Sequence, residues 1–362
     1  MFITILSLVL GSGYFLLMSF ISLALGKLKR YREKYFPFIS VVVAARNEEK
    51  SIEILLKSLS DLKHDSTMFE IILVDDDSGD NTRSIMEKYS SEHNNWNVLY
   101  HRKSSGSLKG KKGALALGIE NSKGEIILTT DADCFVPENW IKSMIGCFKP
   151  DVGMVLGHSP VRRQKGFFNI LQRFDTICES AIAAASSYIN KPTHSNGRNL
   201  AFRKKTFLEV GGYNKISQIS TGDDFFLSKI ISTATKWKFI YNTDPNSFVT
   251  TKPERFGKKY IHQQLRRNSK AFYLTLPLFI VASWIFIFHV FLGILLFSIP
   301  ISILFWILLG IKFIFELFPV AISAKIFNQK DLLKYFPLLW IIYPVIFLGT
   351  QLLGSLQFYR WK

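Results

Sequence analysis

The sequence predicts a water-soluble, doubly wound α/β domain, preceded by one membrane helix and followed by about three more. Of the 362 residues 48% are hydrophobic, and the mean hydropathy is +0.17 although Lys and Arg outnumber Asp and Glu by 45 to 28. Almost all of this charge lies between residues 27 and 270, where strand and helix patterns alternate. A water-soluble middle with apolar ends excludes a disordered chain and a small disulfide-stabilised fold.

The first membrane helix is predicted over residues 1–26. Residues 1–25 carry no charge and are long enough, at ~1.5 Å per residue, to cross ~30 Å of hydrocarbon. Basic residues follow this stretch and none precedes it, unlike in a cleaved signal peptide. The positive-inside rule then places the middle domain in the cytoplasm. We expect an integral, multi-pass protein of the bacterial inner membrane.

The C-terminal membrane helices are predicted within residues 273–362. The apolar spans are 274–297, 300 to about 318, and 337–356. Lys312 and Glu316, four residues apart, could pair, line a polar path, or snorkel from a helix end, and the sequence favours snorkelling. The preceding segment 254–272 is basic and amphipathic, so membrane lipids are expected partners.

The middle domain is predicted over residues 37–253. A β-branched stretch at 38–45 enters a helical pattern that begins at Arg46 and runs to Ser60. Further segments then alternate: strands 69–74, 96–101 and 125–130, and helices 82–90 and 109–121. This alternation indicates a doubly wound sheet, in which ligands bind beyond the carboxyl ends of the strands.

Acidic clusters follow two of these strands. Asp75, Asp76, Asp77 and Asp80 form the first, and two interpretations are open: acceptors for ribose, a base or a cation, or an Asp-rich turn that caps the next helix. The second cluster consists of Asp131 and Asp133. Two carboxylates separated by one residue can bind one hard cation together with phosphate oxygens. Mg²⁺ or Mn²⁺ is the expected ion.

Three other segments carry charged residues suited to anion binding or proton transfer. Lys111 stands in a Gly-punctuated basic helix start, which either favours an anion or is simply solvated, the more common case for a single lysine. Asp223 and Asp224 open a helix, where paired acids either raise one pKa for general-base work or cap the helix. The basic segment around Arg266 and Arg267 could hold a pyrophosphate or contact anionic lipid.

The order of these motifs resembles the family 2 glycosyltransferases, whose catalytic domain has the GT-A fold. The resemblance covers about residues 37–270. In chain order it rests on VVVAARNEE, VDDDSGDNT, GKKGAL, TTDADC, NGRNLAFR with GGY, and GDD. QQLRR is similar to the Gln-x-x-Arg-Trp motif of membrane-bound members, with Gln263 and Arg266 matching and Arg267 replacing the Trp. The missing Trp leans against a processive polysaccharide synthase.

The resemblance implies a role for each matching residue. Nucleotide binding would fall to Asn47, Glu48, Asp75, Asp76, Lys111 and Asp131. A divalent metal would be held by Asp131 and Asp133, and Asp224, with Asp223 beside it, would be the general base. Phosphate or acceptor contacts would come from Arg198, Asn199, Gln263, Arg266 and Arg267.

These roles together describe an inverting hexosyltransferase. It would move a sugar from a nucleoside-diphosphate sugar, expected to be UDP-linked, to a lipid-linked or envelope-glycan acceptor at the cytoplasmic membrane face. Two alternatives stay open: a short-chain or processive polysaccharide synthase of the same family, and a catalytically inactive, nucleotide-binding membrane scaffold. A nucleic-acid partner is not expected, because no nucleic-acid motif occurs and a basic face is usual beside anionic lipid.

Overall fold

The computed structural model describes residues 2–102, 108–217, 222–254, 258–298 and 303–356. Parts of the predicted segments 254–272 and 273–362, namely residues 255–257, 299–302 and 357–362, lie outside the described residues. The chain divides into two compact units. The sheet unit comprises Leu28–Arg162 and Ile182–Lys252, and the helical unit comprises Met1–Lys27, Arg163–Ala181 and Pro253–Lys362.

The described residues form nine strands and twelve α-helices. The strands are β1 (Ile39–Ala45), β2 (Phe69–Asp75), β3 (Trp96–Tyr100), β4 (Ile126–Thr129), β5 (Cys134–Phe135), β6 (Val152–Gly157), β7 (Leu200–Arg203), β8 (Lys238–Asn242) and β9 (Thr250–Thr251). The helices are α1 (Phe2–Gly26), α2 (Ile52–Ser60), α3 (Thr82–Ser91), α4 (Gly110–Glu120), α5 (Trp140–Ile145), α6 (Phe167–Tyr188), α7 (Lys204–Glu209), α8 (Asp223–Ala234), α9 (Lys258–Asn268), α10 (Leu276–Ser298), α11 (Ile303–Ile326) and α12 (Phe336–Ser355). Short 3₁₀ turns occupy Ser66–Met68, Asn214–Ile216, Pro245–Ser247, Ser269–Tyr273 and Lys330–Tyr335.

The sheet unit is built on a mixed sheet of seven strands in the order β3-β2-β1-β4-β7-β6-β8. The first four are parallel, and β7 runs antiparallel to both β4 and β6. Residues of β1 and β2 are buried throughout, which explains their continuous apolar sequence, since helices cover both faces of such a sheet. The predicted doubly wound α/β architecture is confirmed, and the sheet is mixed.

Predicted and observed element boundaries in the sheet unit differ at the start of α2. The helical pattern was expected from Arg46, but α2 begins at Ile52. Asn47 has a φ of 54°, in the left-handed region that an α-helix cannot include. The segment between β1 and α2 is therefore a loop at the carboxyl edge of the sheet.

His158 is buried in the sheet unit directly after β6. Its side chain is 0% exposed, and its ring meets Phe248 edge-on with the centroids 4.9 Å apart. Burial lowers the pKa of His158 from 6.5 to about 3, because desolvation disfavours the charged imidazolium. The folded chain therefore keeps this ring neutral where the unfolded chain would protonate it.

The free energy of unfolding is expected to fall as the pH is lowered from about 6.5 towards 3. In this window the unfolded state binds a proton at His158 and the folded state does not, which costs about 1.4 kcal/mol per pH unit. Thermal unfolding of the full chain in detergent, followed by tryptophan fluorescence between about pH 7.5 and 5, measures it. His158→Gln should flatten this dependence, and the half-buried His93→Gln should not. Equal slopes in both variants would contradict the assignment.

The helical unit contains four candidate membrane spans: Ile3–Gly26, Leu276–Phe297, Phe305–Ile326 and Lys330–Ser355. Each is long and apolar enough to cross a membrane. The second C-terminal span was predicted to end near residue 318, but α11 continues through Pro319 to Ile326. Helical proline is tolerated in membrane helices because neighbouring groups satisfy the freed carbonyl. One N-terminal and three C-terminal helices agree with the prediction.

A polar cluster links α1, α10, α11 and α12 inside the helical unit. Lys312 Nζ lies 2.8 Å from Glu316 Oε1, and Lys312 is only 2% exposed. Glu316 also accepts a hydrogen bond from the hydroxyl of Tyr14, and Nε2 of His289 is 4.0 Å from it. The ammonium group lies 4.7 Å from the ring centroid of Trp340. Lys312 and Glu316 thus pair with each other, and snorkelling from a helix end is wrong, since both lie in the middle of α11.

Candidate active site

The carboxyl ends of β1 and β2 bring the first acidic cluster to the edge of the sheet. Ala45 and Asp75 are partners in the parallel register of these strands. Asp75 is 1% exposed: its Oδ2 accepts a hydrogen bond from Ser78 N at 3.3 Å, whereas its Oδ1 has no partner among the described residues. A buried carboxylate oxygen is costly unless something donates to it. Asp75 is therefore suited to receive a hydroxyl or N–H donor from a ligand.

Asp76 is held by a histidine from the next strand end. Its Oδ1 lies 2.8 Å from Nδ1 of His101, and both side chains are buried. On the other side, a Cβ built on Gly110 would lie 3.9 Å from Asp76 Oδ2. Gly110 has a φ of 60°, so a residue with a side chain would be strained at this start of α4. The acidic loop and the Gly-Lys segment are thus neighbours.

Asn47 joins the loop after β1 to the loop after β2. Its Oδ1 accepts from Gly79 N at 2.8 Å, and its own N–H donates to Ser78 Oγ at 3.1 Å. Glu48 N donates to Thr82 Oγ1 at 2.7 Å. These bonds fix the two loops against each other, so they form one rigid edge.

The remaining acids of the first cluster have local roles. Asp77, with a φ of 57°, accepts from the hydroxyl of Tyr100 at 2.9 Å. Asp80 accepts from Thr82 N at 3.0 Å at the start of α3. The interpretation as an Asp-rich turn at the helix start thus fits Asp80, while the role of Asp75 and Asp76 as acceptors for a ligand stays a prediction.

Three segments distant in sequence converge around Lys111, in the first turn of α4. Its Nζ pairs with Asp131 Oδ1 at 2.5 Å, after β4. A Cβ built on Gly197 would lie 3.6 Å from that Nζ and 3.8 Å from Oδ2 of Asp224. Gly197 N donates to the same Asp224 oxygen at 2.8 Å. One lysine, two carboxylates and the backbone of Gly197, which has no side chain, therefore share one site.

The electrostatics of this site follow from its opposite charges. Desolvation opposes the charge on Lys111, but the carboxylates of Asp131 and Asp223 outweigh it and raise the pKa of Lys111. Burial raises the pKa of Asp223, against the attraction of Lys111 and with the repulsion of Asp224. Asp224 is oriented by the backbone, since Phe225 N donates to its Oδ1 at 2.7 Å. The pair at the start of α8 thus holds two carboxylates in different environments.

Asp131 and Asp133 form the candidate metal site, with Glu48 nearby. Burial raises the pKa of Glu48, and the charges of Asp133 and Asp131 raise it further. In the part of the chain that the structure describes, no group of three or more His, Cys, Asp or Glu side chains could hold a metal ion. Two carboxylates nevertheless suit Mg²⁺ or Mn²⁺, which usually complete their coordination with substrate phosphates and water.

Arg198 and Asn199 lie on the segment that leads into β7. Arg198 Nε donates to Asn196 Oδ1 at 3.1 Å. Asn199 is fully buried: its amide donates to the carbonyls of His158 and Ser247, and its Oδ1 accepts from the indole of Trp140. Its observed bonds therefore position the loop, while a contact with phosphate or acceptor stays a prediction for both residues.

Gln263, Arg266 and Arg267 lie on α9, in the helical unit, and the other predicted site residues lie in the sheet unit. Arg266 is exposed and Gln263 is half-buried. Arg267 instead forms an ion pair with Asp175, with Nη2 2.7 Å from Oδ2. The phosphate or acceptor role of these three residues stays a prediction.

Two residues of the site were not predicted from the sequence. His101 orients Asp76, and Gly197 supplies the N–H that holds Asp224. A signal for His101 exists, because it is a polar residue immediately after β3, at the same edge as the other strand ends. Gly197 carried none by itself, since its role depends on a close approach of the backbone that only the fold shows.

Two family models match the sequence. "Glycosyl transferase family 2" matches residues 40–211, and "Glycosyl transferase family group 2" matches residues 126–353. Among solved structures, a mannosyltransferase from Pyrobaculum calidifontis, in complex with GDP-Man and Mn²⁺, superposes with a TM-score of 0.60 at 18% identity. The match covers 94% of this chain and 98% of that one. This likeness shows the fold.

Curated relatives match over part of their length. A beta-monoglucosyldiacylglycerol synthase of Nostoc sp. is 34% identical over 133 residues, 36% of this chain and 28% of the relative. Glycosyltransferase AglE of Haloferax volcanii is 28% identical, over 52% of this chain and 59% of the relative. A poly-beta-1,6-N-acetyl-D-glucosamine synthase of Staphylococcus aureus is 26% identical, over 56% of this chain and 48% of the relative. The chain thus spans between 28% and 59% of these relatives.

Proposed function

The chain belongs to the family 2 glycosyltransferases, with a GT-A sheet, and from this premise we propose that it is an inverting enzyme acting at a membrane. It transfers a hexose from a nucleoside-diphosphate sugar, UDP-linked, to the hydroxyl of a lipid-linked or envelope-glycan acceptor. The sheet unit faces the cytoplasm, and the four apolar helices anchor it in the bacterial inner membrane.

The observation that carries the proposal is the convergence at Lys111. Residues from α4, the end of β4, the segment before β7 and the start of α8 supply a cation, a metal-type carboxylate and a base-type carboxylate within one site. Glycosyl transfer from a diphosphate uses all three: the lysine and a metal-binding carboxylate bring positive charge to the leaving diphosphate, and the base takes the proton that the acceptor loses.

Nucleoside recognition is assigned to the edge formed by β1 and β2. Oδ1 of Asp75, which has no partner among the residues that the structure describes, and the oriented carboxylate of Asp76 are acceptors for a base N–H and ribose hydroxyls. Asn47 and Glu48 keep the two loops in register. The buried position of Asp75 makes the bond selective, since a ligand without a donor there leaves the oxygen unsatisfied.

The chemical step is assigned to Asp224. Its carboxylate takes the proton from the acceptor hydroxyl as that oxygen attacks the anomeric carbon opposite the departing nucleotide, which inverts the configuration. Gly197 N and Phe225 N keep the carboxylate in place. Lys111 and Arg266 neutralise the diphosphate, and Arg198 and Gln263 contact the phosphate or acceptor. A Mg²⁺ or Mn²⁺ ion held by Asp131 and Asp133 would supply further positive charge at the diphosphate.

A lipid-like acceptor is supported by two observations. The helical unit provides apolar spans beside a basic, amphipathic segment that contains α9. The relative from Nostoc sp. is named as a synthase of a glucosylated diacylglycerol, whereas the relative from Staphylococcus aureus is named as a polymer synthase. The Trp that accompanies long-chain synthesis in the family is Arg267 here. We therefore favour single addition over polymer formation.

Nucleoside-diphosphate release from a panel of UDP-, GDP- and dTDP-sugars tests the proposal. The purified full chain, with added membrane lipid, is expected to release nucleotide from one donor with Mn²⁺ or Mg²⁺, and EDTA should abolish it. Asp131→Asn should lower the rate about hundredfold, and the exposed Asp151→Asn serves as the control with the same change of charge.

Each outcome of this assay separates the candidate functions. A single product on the lipid acceptor supports the glycosyltransferase as proposed, and a ladder of products indicates a polysaccharide synthase. Nucleotide binding with no release, even with lipid and oligosaccharide acceptors supplied, would indicate the inactive scaffold. Absence of both binding and release would overturn the assignment of the sheet edge as a nucleotide site.

A further inference from the structure

The helix α9 carries two overlapping Gln-x-x-Arg sequences. Gln263 pairs in spacing with Arg266, and Gln264 pairs with Arg267. Residues three apart lie on one face of a helix, and consecutive residues are turned by about 100°, so the two pairs occupy different faces. Gln264 is 5% exposed, whereas Arg266 is exposed. The structure thus separates an inner pair, Gln264 and Arg267, from an outer pair, Gln263 and Arg266.

Asp175, on α6, binds both members of the inner pair. Its Oδ2 accepts from Gln264 Nε2 at 2.7 Å and from Arg267 Nη2 at 2.7 Å. Its Oδ1 accepts from the hydroxyl of Tyr343, on α12, at 2.6 Å. The side chain is 8% exposed, and both of its oxygens are satisfied. One buried carboxylate therefore joins α6, α9 and α12 within the helical unit.

The charges of this cluster explain the arginine at position 267. Glu179, four residues after Asp175 on α6, also forms an ion pair with Arg267, through Nη1. Without that guanidinium, two carboxylates one turn apart would face each other in a place where water is scarce. Arg267 also donates to Gln264, which closes the network. The family's Trp at this position could not supply the counter-charge.

We propose that Asp175 is a positioning residue for α9. It holds Gln264 and Arg267 on the inner face of α9, so that Gln263 and Arg266 stay on its outer face. Arg267 then acts as an internal counter-ion and makes no contact with substrate. The diphosphate role of Arg266 rests on the proposed function, whereas the clamp on α9 rests on the observed contacts alone.

A double-mutant cycle on nucleoside-diphosphate release tests the positioning role. Asp175→Asn keeps the shape of the side chain but removes the charge, and it should lower the release rate at least about tenfold. In an Arg266→Ala background the same change should lower the rate less than about twofold, because the residue it positions is gone. Glu179→Gln, which contacts Arg267 but not Gln264, is the matched control and should cost less than about threefold.

A second measurement tests the positioning role even if the purified chain shows no turnover. Hydrogen exchange of the full chain in detergent should be faster in α9 for Asp175→Asn than for Glu179→Gln, with no change in α2 or α3. Equal loss of activity from Asp175→Asn in both backgrounds would indicate a general structural effect and overturn the positioning role. Unchanged activity in an active chain, or unchanged exchange in α9 even where the chain shows no release, would overturn the proposal as well.

Discussion

Replacing Asp224 with asparagine is expected to lower nucleoside-diphosphate release about 10³-fold, which corresponds to about 4 kcal/mol of barrier. The change removes the carboxylate that we propose as the base for the acceptor hydroxyl. It keeps the volume of the side chain, and the amide oxygen can still accept from Phe225 N, whereas the amide nitrogen cannot accept from Gly197 N. The release rate at saturating donor and acceptor is the measurement, because the loss should appear in kcat.

Two measurements show whether the Asp224→Asn substitution also damages the fold. Donor binding, measured by titration calorimetry, should stay within about threefold, since Asp75, Asp76 and Lys111 are untouched. Asp151→Asn, an exposed partner of Lys238, should leave the rate unchanged. If the rate of Asp224→Asn stays within about tenfold of that of the unsubstituted chain, another group must be the general base. Asp223, with its raised pKa, would be the next candidate.

Replacing Lys312 with methionine is expected to destabilise the helical unit by about 3 kcal/mol. Lys312 is buried and is the counter-charge of Glu316, so its loss leaves a carboxylate among apolar helices, where the described residues beside it include Tyr14 and His289. Lys312→Met together with Glu316→Gln should recover most of the loss, because no unpaired charge remains. Unfolding by SDS in mixed micelles measures the free energy.

The matched control lies on the same helix. Lys325, near the end of α11, is exposed, so Lys325→Met should change the stability by less than about 0.5 kcal/mol. If Lys312→Met were as mild as Lys325→Met, the cluster would contribute little to the stability of the helical unit. If the double variant were as unstable as the single one, packing of the lysine stem would matter more than its charge.

The sequence predicts the sheet and much of its acidic edge for one physical reason. Parallel strands buried on both faces leave continuous β-branched stretches, and β1 to β4 lie within one residue of the predicted segments. Because the carboxyl ends of such strands meet at one edge, Asp75 and Asp131 could be expected near each other before any coordinates. Their separate environments follow from the strand register and the loops, and these required the structure.

Other features depend on contacts between segments that are distant in sequence. Asp175 lies inside the predicted domain 37–253, yet α6 is amphipathic like any surface helix, and nothing local marks its partners on α9 and α12. His101 is one of seven histidines, and only the fold places it on Asp76. The pairing of Lys312 with Glu316 was one of three alternatives, and the extent of α11 decides among them.

The order of the chain segments has a consequence for how such an enzyme can be inherited. Arg163–Ala181 belongs to the helical unit although it lies in sequence between the two parts of the sheet unit. A fragment of residues 28–252 would keep Arg173 and Asp175 but lose Asp331 and Arg267, their charge partners. Recombination at the ends of the sheet unit would therefore leave buried charges without their partners. The sheet unit and the helical unit are thus expected to be exchanged together in evolution.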